Sequence, residues 1–234
     1  MRSVFCYHLA MNNEKVKVWL WLIVSCVVIG VMLFASAGTI DFWQAWVYLA
    51  VVGLSSIPIT VLIANDPVLR ASRTRFGVAA EARPYQKLIV AFLLIAVLAQ
   101  FILPGLDHRF GWSNAPMWVC IAGNFLILVS MCLSYRVFQE NSYGSAAVEI
   151  SKDQKVISTG PYAVVRHPMY SSASLYFIGM SLALGSYWAI IPSMLIILGF
   201  VLRLFDEENF LVDDLPGYLE YCGRVRWHLV PGVF

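Results

Sequence analysis

Charged residues are scarce in this chain. Only 13% of its 234 residues are Asp, Glu, Lys or Arg, and 60% are hydrophobic, where a soluble domain carries about a quarter charged residues. The shortage is also uneven. Residues 18–40, 42–65, 88–106 and 110–135 hold no charged side chain, and neither does the 36-residue run from His167 to Leu202. Runs of this kind exclude an ordinary soluble fold, because a helix crosses the hydrocarbon core with about 20 apolar residues. Cysteine is sparse and unpaired: Cys6, Cys26, Cys120, Cys132 and Cys222 form no C-x-x-C, so neither a disulfide frame nor a zinc site is expected. The four histidines, His8, His108, His167 and His228, are scattered. They cannot supply the histidine boxes of a membrane di-iron centre, and G-x-G-x-x-G, P-loop and H-E-x-x-H motifs are all missing. No metal is expected. A formal charge of +2 gives no reason to expect nucleic acid as a partner either; the positive side chains suit topology and anionic headgroups.

What is present is an all-α integral membrane protein. Four of the uncharged runs fit one span each. The fifth, at about 1.5 Å per residue, would reach about 54 Å against a core of about 30 Å, so it is expected to fold back near Gly185 and Ser186 into two arms of roughly 17 residues. About six transmembrane helices result, four spans plus a C-terminal hairpin. The chain then divides into a four-helix membrane region over residues 1–135 and a second region over residues 136–234. Basic residues stay on the cytoplasmic side of a membrane. With a cytoplasmic N-terminus, fifteen of the sixteen Lys and Arg residues lie inside and only Arg109 lies outside, so both termini are expected in the cytoplasm. The first apolar run is followed by no small-residue cleavage pattern and reads as a retained span rather than a cleaved signal peptide.

Three segments remain on the cytoplasmic side: residues 65–87, 136–167 and 203–234. The first mixes arginines with Phe76 and Tyr85 and reads as a topology-setting loop along the interface. The other two flank the hairpin, whose turn brings Gly160–Tyr170 back beside Arg203–Leu211 at one mouth. In RLFDEENFL, Arg203 and Glu207 stand at i and i+4 on one helix face, with Asp206 and Glu208 pointing elsewhere. They form either a solvated ion pair or, since Arg203 ends the longest uncharged run, a functional charge at the membrane edge. In GPYAVVRHPMY, Pro168 keeps His167 out of the helical region and Gly160-Pro161 does the same upstream. This is either a helix-initiating turn with an aromatic belt or irregular backbone whose N–H and C=O groups meet a ligand.

These residues carry a resemblance. The run KVISTGPYAVVRHPMY, an apolar hairpin, R-x3-EE-x2-L (Arg203, Glu207, Glu208, Leu211), Tyr218, Tyr221 and a closing VRWHLVPG resemble the isoprenylcysteine carboxyl methyltransferase family of integral-membrane enzymes, particularly its bacterial branch. The similarity to phospholipid N-methyltransferases, which share RHPxY and the acidic pair, is looser. The resemblance implies S-adenosyl-L-methionine as methyl donor, held in a cytoplasmic cleft. It carries donor contacts onto Gln154, Lys155, Val156, Ile157, Gly160, Tyr162, His167, Pro168, Met169, Tyr170 and Glu207, and a substrate-carboxylate role onto Arg203. Aromatic faces suit a sulfonium and Glu207 can accept from an ammonium or ribose. A carboxylate acceptor is already ionised at pH 7 and needs no base; an amine acceptor would draft Glu207 or Glu208.

The expected function is therefore O-methylation of the carboxylate of a lipid-like or prenylated substrate that arrives from the bilayer, in a multi-pass protein of a bacterial cytoplasmic membrane with membrane lipids as its surroundings. Phospholipid amine N-methylation is the alternative. A small transporter or non-catalytic scaffold is the alternative of another class, although no charge falls at mid-span as a transporter requires.

Overall fold

The computed structural model describes residues 2–74, 77–80, 83–142 and 155–234, with side chains described from residue 13 onward except at 74 and 80. Nine α-helices are seen among these residues: α1 (Arg2–Ala37), α2 (Trp43–Ser55), α3 (Ile57–Asn65), α4 (Pro67–Thr74), α5 (Pro84–Phe110), α6 (Met117–Glu140), α7 (Pro168–Ala183), α8 (Ile190–Asp214) and α9 (Tyr218–Arg224). The described residues form no strand beyond one isolated parallel bridge. Helix is what lipid demands, because each backbone N–H and C=O must find its partner within the segment.

Four stretches are long and apolar enough to cross a membrane: Asn13–Ala37, Trp43–Asn65, Pro84–Phe110 and Met117–Glu140. They correspond to the first four uncharged runs. The second is broken at Ser56, because Pro58 in the first turn of α3 has no N–H to continue the ladder, and the Ser56 hydroxyl turns back onto the Val52 carbonyl at 2.7 Å. The fifth run does fold back, reversing over residues 184–189 at Gly185 and Ser186. Its arms are unequal. α7 has 16 residues and α8 has 25, so α7 is about 24 Å long, shorter than the hydrocarbon core, whereas α8 runs beyond the apolar stretch to carry Arg203, Glu207 and Glu208. α6 runs without a break from Met117 to Glu140.

Polar side chains tie the helices together inside the bundle. The Gln100 side chain of α5 donates through Nε2 to the Ser181 hydroxyl of α7 at 3.0 Å, and Ser193 of α8 donates to the Gln100 side-chain oxygen Oε1 at 3.0 Å. Ser130 and Ser172 exchange hydrogen bonds with each other's backbone carbonyls across α6 and α7. At the far end, Asp107 is 2% exposed. The charge-free run ended just before it, but α5 continues to Phe110, and the carboxylate accepts the Ser113 N–H at 2.7 Å as well as the Ser113 and Ser186 hydroxyls. It fastens the hairpin turn to the α5–α6 connection.

α6 lies along α7 with backbones in near contact. A Cβ on Gly123 would stand 2.2 Å from the Ala183 nitrogen and 2.7 Å from the Gly179 carbonyl oxygen, so only glycine permits the approach. Gly123→Ala is expected to destabilise the protein by about 2 kcal/mol through overpacking, read as a thermal midpoint lowered by several degrees in detergent. This pairing sets where the start of α7 sits, and hence the site.

Candidate functional site

The two segments that flank the hairpin meet at its mouth. His167 caps α7 with φ −121° and ψ 62°, outside the helical region, and Pro168 opens the helix. Upstream, Gly160 has φ +56°, and a Cβ there would lie 2.6 Å from Cγ of Glu140, so both the turn and the crowding require glycine. The loop is irregular, yet its backbone donors from Val164 to His167 are already engaged. The Arg166 and His167 N–H groups donate to the carbonyls of Trp227 and His228 at 2.8 and 2.9 Å, and those of Val164 and Val165 donate to Pro161. The C-terminal tail supplies the partners: VRWHLVPG lies against the loop through the Val165–Trp227 bridge, and the Ser171 hydroxyl donates to the Leu229 carbonyl at 2.6 Å.

Arg203 is 4% exposed. Its Nε donates to the Tyr170 hydroxyl at 3.0 Å, and that hydroxyl donates to Glu207 Oε2 at 2.6 Å. Tyr170 thus links the i and i+4 charges of α8 across the hairpin. Its ring is stacked between His167 (centroids 5.6 Å apart) and Phe200 (5.2 Å), which fixes where the hydroxyl points.

Glu208 belongs to a second cluster one residue further round α8. It does not point elsewhere: Oε1 accepts from His167 Nε2 at 2.9 Å and lies 3.3 Å from Arg166 Nε, and Oε2 lies 3.3 Å from His228 Nε2. Asp206 is the acidic residue that turns away, pairing with Arg83 at 3.0 Å and accepting from Gln86 at 2.5 Å. Burial alone would raise the Glu208 carboxyl, but the bond from His167 and the charges of His167, Arg166 and His228 outweigh it and hold the pKa below 4.5. Burial holds the His228 imidazole below 6.5 despite Glu208 beside it. Both shifts mean that the unfolded chain binds the proton more tightly, so stability is full above about pH 6.5 and falls on acidification, first through His228 and then through Glu208. The thermal midpoint is expected to drop between pH 7.5 and pH 4, and His228→Gln, which removes the first group to titrate, should flatten the upper part of that slope; a pH-independent midpoint would contradict the cluster's role.

Of the other residues singled out in the sequence, Tyr162 is tied at both ends. Its hydroxyl accepts from Asn141 at 3.0 Å and its carbonyl accepts the Tyr221 hydroxyl at 2.7 Å. Val156 packs against the Leu215, Tyr218, Tyr221 and Val225 cluster, Ile157 is half-buried and Lys155 is exposed. Gln154 lies outside the described residues. A groove of about 390 Å³ opens beside the loop, lined by Leu133, Pro161, Val164, Pro168 and Leu229 with Arg136 among them.

One residue was missed in the sequence. Arg73 on α4, counted there among the basic residues of a topology loop, turns inward: Nη2 lies 3.0 Å from Met169 Sδ and the guanidinium sits 4.2 Å over the Phe138 ring. A signal existed, since Arg73 stands at i+4 from the fully buried Leu69 and so on the inward face of a short helix.

Residues 118–214 match the family model for phospholipid methyltransferase. They take in α6, the loop, α7 and α8, the elements that frame the site. This region is a membrane methyltransferase domain. No curated protein matches the chain. With four stretches among the described residues fit to cross a bilayer, the chain is a membrane protein that carries a methyltransferase domain, and the matched family implies S-adenosylmethionine as the methyl donor. The residues fit such a group. Two buried polar atoms without partners, Arg73 Nε and the Tyr218 hydroxyl, lie outside the matched residues but beside the Tyr170–Glu207 pair, Arg73 against Met169 and Tyr218 within the influence of Glu207, and Tyr162 supplies aromatic surface.

Proposed function

We propose that the protein methylates the carboxylate of a lipid-like acceptor, in the manner of isoprenylcysteine carboxyl methyltransferases, at a site that faces the cytoplasm of a bacterial membrane. The observation that carries this reading is the convergence of buried Arg203 with Tyr170 and Glu207 where the uncharged stretch of α8 ends. S-adenosylmethionine supplies an electrophilic methyl group on its sulfonium. Arg203 holds the acceptor carboxylate in a two-pronged grip that a lysine cannot reproduce. The nucleophile is ionised at pH 7, so no residue has to take a proton from it. That suits the acidic pair, since Glu207 already accepts from Tyr170 and Glu208 is held by His167 and Arg166. Such a site works by orientation and partial desolvation. The apolar groove beside the loop suits the hydrocarbon of an acceptor that comes sideways from the bilayer.

Glu207, with Tyr162 and Tyr170, is assigned to the donor. Glu207→Gln is therefore expected to weaken donor binding by about tenfold, the worth of one charge-assisted hydrogen bond, in a calorimetric titration; unchanged affinity would remove Glu207 from the donor site.

The description of the matched family favours a second reading, methylation of a phospholipid amine, for which Glu207 or Glu208 would act as base. Membranes incubated with labelled donor separate the two. A carboxylate product is an ester that releases its label in base, with a rate that levels off above about pH 6; an amine product keeps its label, and its rate climbs with pH.

A further inference from the structure

The site holds a second cation that the reading above does not use. α4 is clamped to the end of α6: Asp66 caps it by accepting the Val68 and Leu69 N–H groups at 2.9 and 3.0 Å, and accepts the Ser142 hydroxyl at 2.6 Å, while Ser72 donates to the Ser142 carbonyl at 3.3 Å. This clamp aims Arg73 across the gap onto Met169, the residue next to Tyr170. A guanidinium carries five N–H donors. Here the contacts of Arg73 among the described residues are soft ones, a thioether sulfur, which is a weak acceptor, and the face of Phe138. Its Nε is buried and makes no hydrogen bond, and no carboxylate among the described residues pairs with it. Burial is deep enough to bring its pKa down to about 10 even though the Tyr162 and Tyr170 hydroxyls act in the opposite sense, so the group remains a cation at neutral pH.

A half-buried cation with a buried donor unspent is costly unless an anion comes to it. Among the described residues Glu207, the nearest acid on this face of α8, is already engaged by the Tyr170 hydroxyl, so the anion is assigned to a ligand. We propose that Arg73 is a further ligand-binding residue, which receives an oxyanion of a bound reactant beside Met169. The amino-acid carboxylate of the methyl donor is the expected source and the acceptor's own oxyanion is the other. The inference rests on the methyltransferase reading.

The test uses the full-length protein in detergent, as wild type, Arg73→Gln and Arg73→Lys, titrated calorimetrically with S-adenosylmethionine and with its decarboxylated analogue. Arg73→Gln is expected to lose at least about tenfold in affinity for the carboxylated donor and less than twofold for the analogue, with Arg73→Lys, which keeps the charge without the fork, in between. Unmoved donor affinities together with a tenfold rise in the acceptor KM would assign the oxyanion to the acceptor and equally support the proposal. Equal weakening towards both donors, which is what lost packing on Phe138 would give, overturns it. So does no change in either donor affinity or the acceptor KM. Wild-type protein that binds neither donor would instead refute the methyltransferase reading itself.

Discussion

Arg203→Lys is expected to lower turnover by about 100-fold or more while donor affinity stays within about threefold of wild type. The positive charge is retained, but lysine offers a compact ammonium in place of a planar fork and cannot both bond Tyr170 and grip a carboxylate at two points. A misplacement of about 1 Å in a reaction that depends on alignment is enough for a loss of this size. Arg203 is buried where the uncharged run of α8 ends, so a shorter or differently shaped cation has little freedom to compensate. Steady-state rates with saturating donor, alongside a donor titration, give both quantities. Normal turnover in Arg203→Lys would dismiss the carboxylate grip, and a collapse of donor affinity would move Arg203 into the donor site.

Glu208→Gln is expected to be the most destabilising single change at the mouth, by about 3 kcal/mol. One carboxylate serves Arg166, His167 and His228, whose side chains are 11%, 6% and 19% exposed. Removing its charge leaves Arg166 buried and uncompensated, the situation in which broken buried pairs cost most. The thermal midpoint should fall by about 10 °C, using about 2–4 °C per kcal/mol for a chain of this size. A coupling test distinguishes this from generic damage: Arg166→Gln in the Glu208→Gln background should cost far less than Arg166→Gln alone, since the two side chains share one interaction. Strict additivity would show that Glu208 does not act through Arg166.

Much of this arrangement was legible in the sequence because charge in a membrane protein encodes position. A 36-residue run without Asp, Glu, Lys or Arg has to turn, and the turn falls at Gly185 and Ser186 as the run length requires. Once it turns, Gly160–Tyr170 and Arg203–Glu208 have to meet. Partner choice was not legible. Glu207 and Glu208 differ by one residue but by about 100° around a helix, so one faces Tyr170 and the other His167. Which of two adjacent acids faces which partner depends on the rotation of α8, and packing against α5 and α7 sets that. The strap formed by Trp227 and His228 was equally hidden, because isolated bridges leave no periodic pattern; it engages the Arg166 and His167 N–H groups that the irregular loop would otherwise leave open. Arg73 was masked by company. Five basic residues in one cytoplasmic loop satisfy topology so well that none of them asks for a further role.

With the N–H groups of Val164 to His167 engaged, the reading we propose places ligand recognition on side chains: Arg203, Tyr170 and Glu207 at the hairpin, Tyr162 on the loop, and Arg73 across from them. Glu208 and His167 serve this set by holding the RHP turn to α8. The central statement is that this mouth binds S-adenosylmethionine, and calorimetric titration of the purified full-length protein with that donor addresses it most directly. A single site per chain with micromolar affinity, weakened by Glu207→Gln and indifferent to Arg203→Lys, is the expected result. No detectable binding at millimolar donor, in protein whose thermal midpoint shows that it is folded, would contradict it.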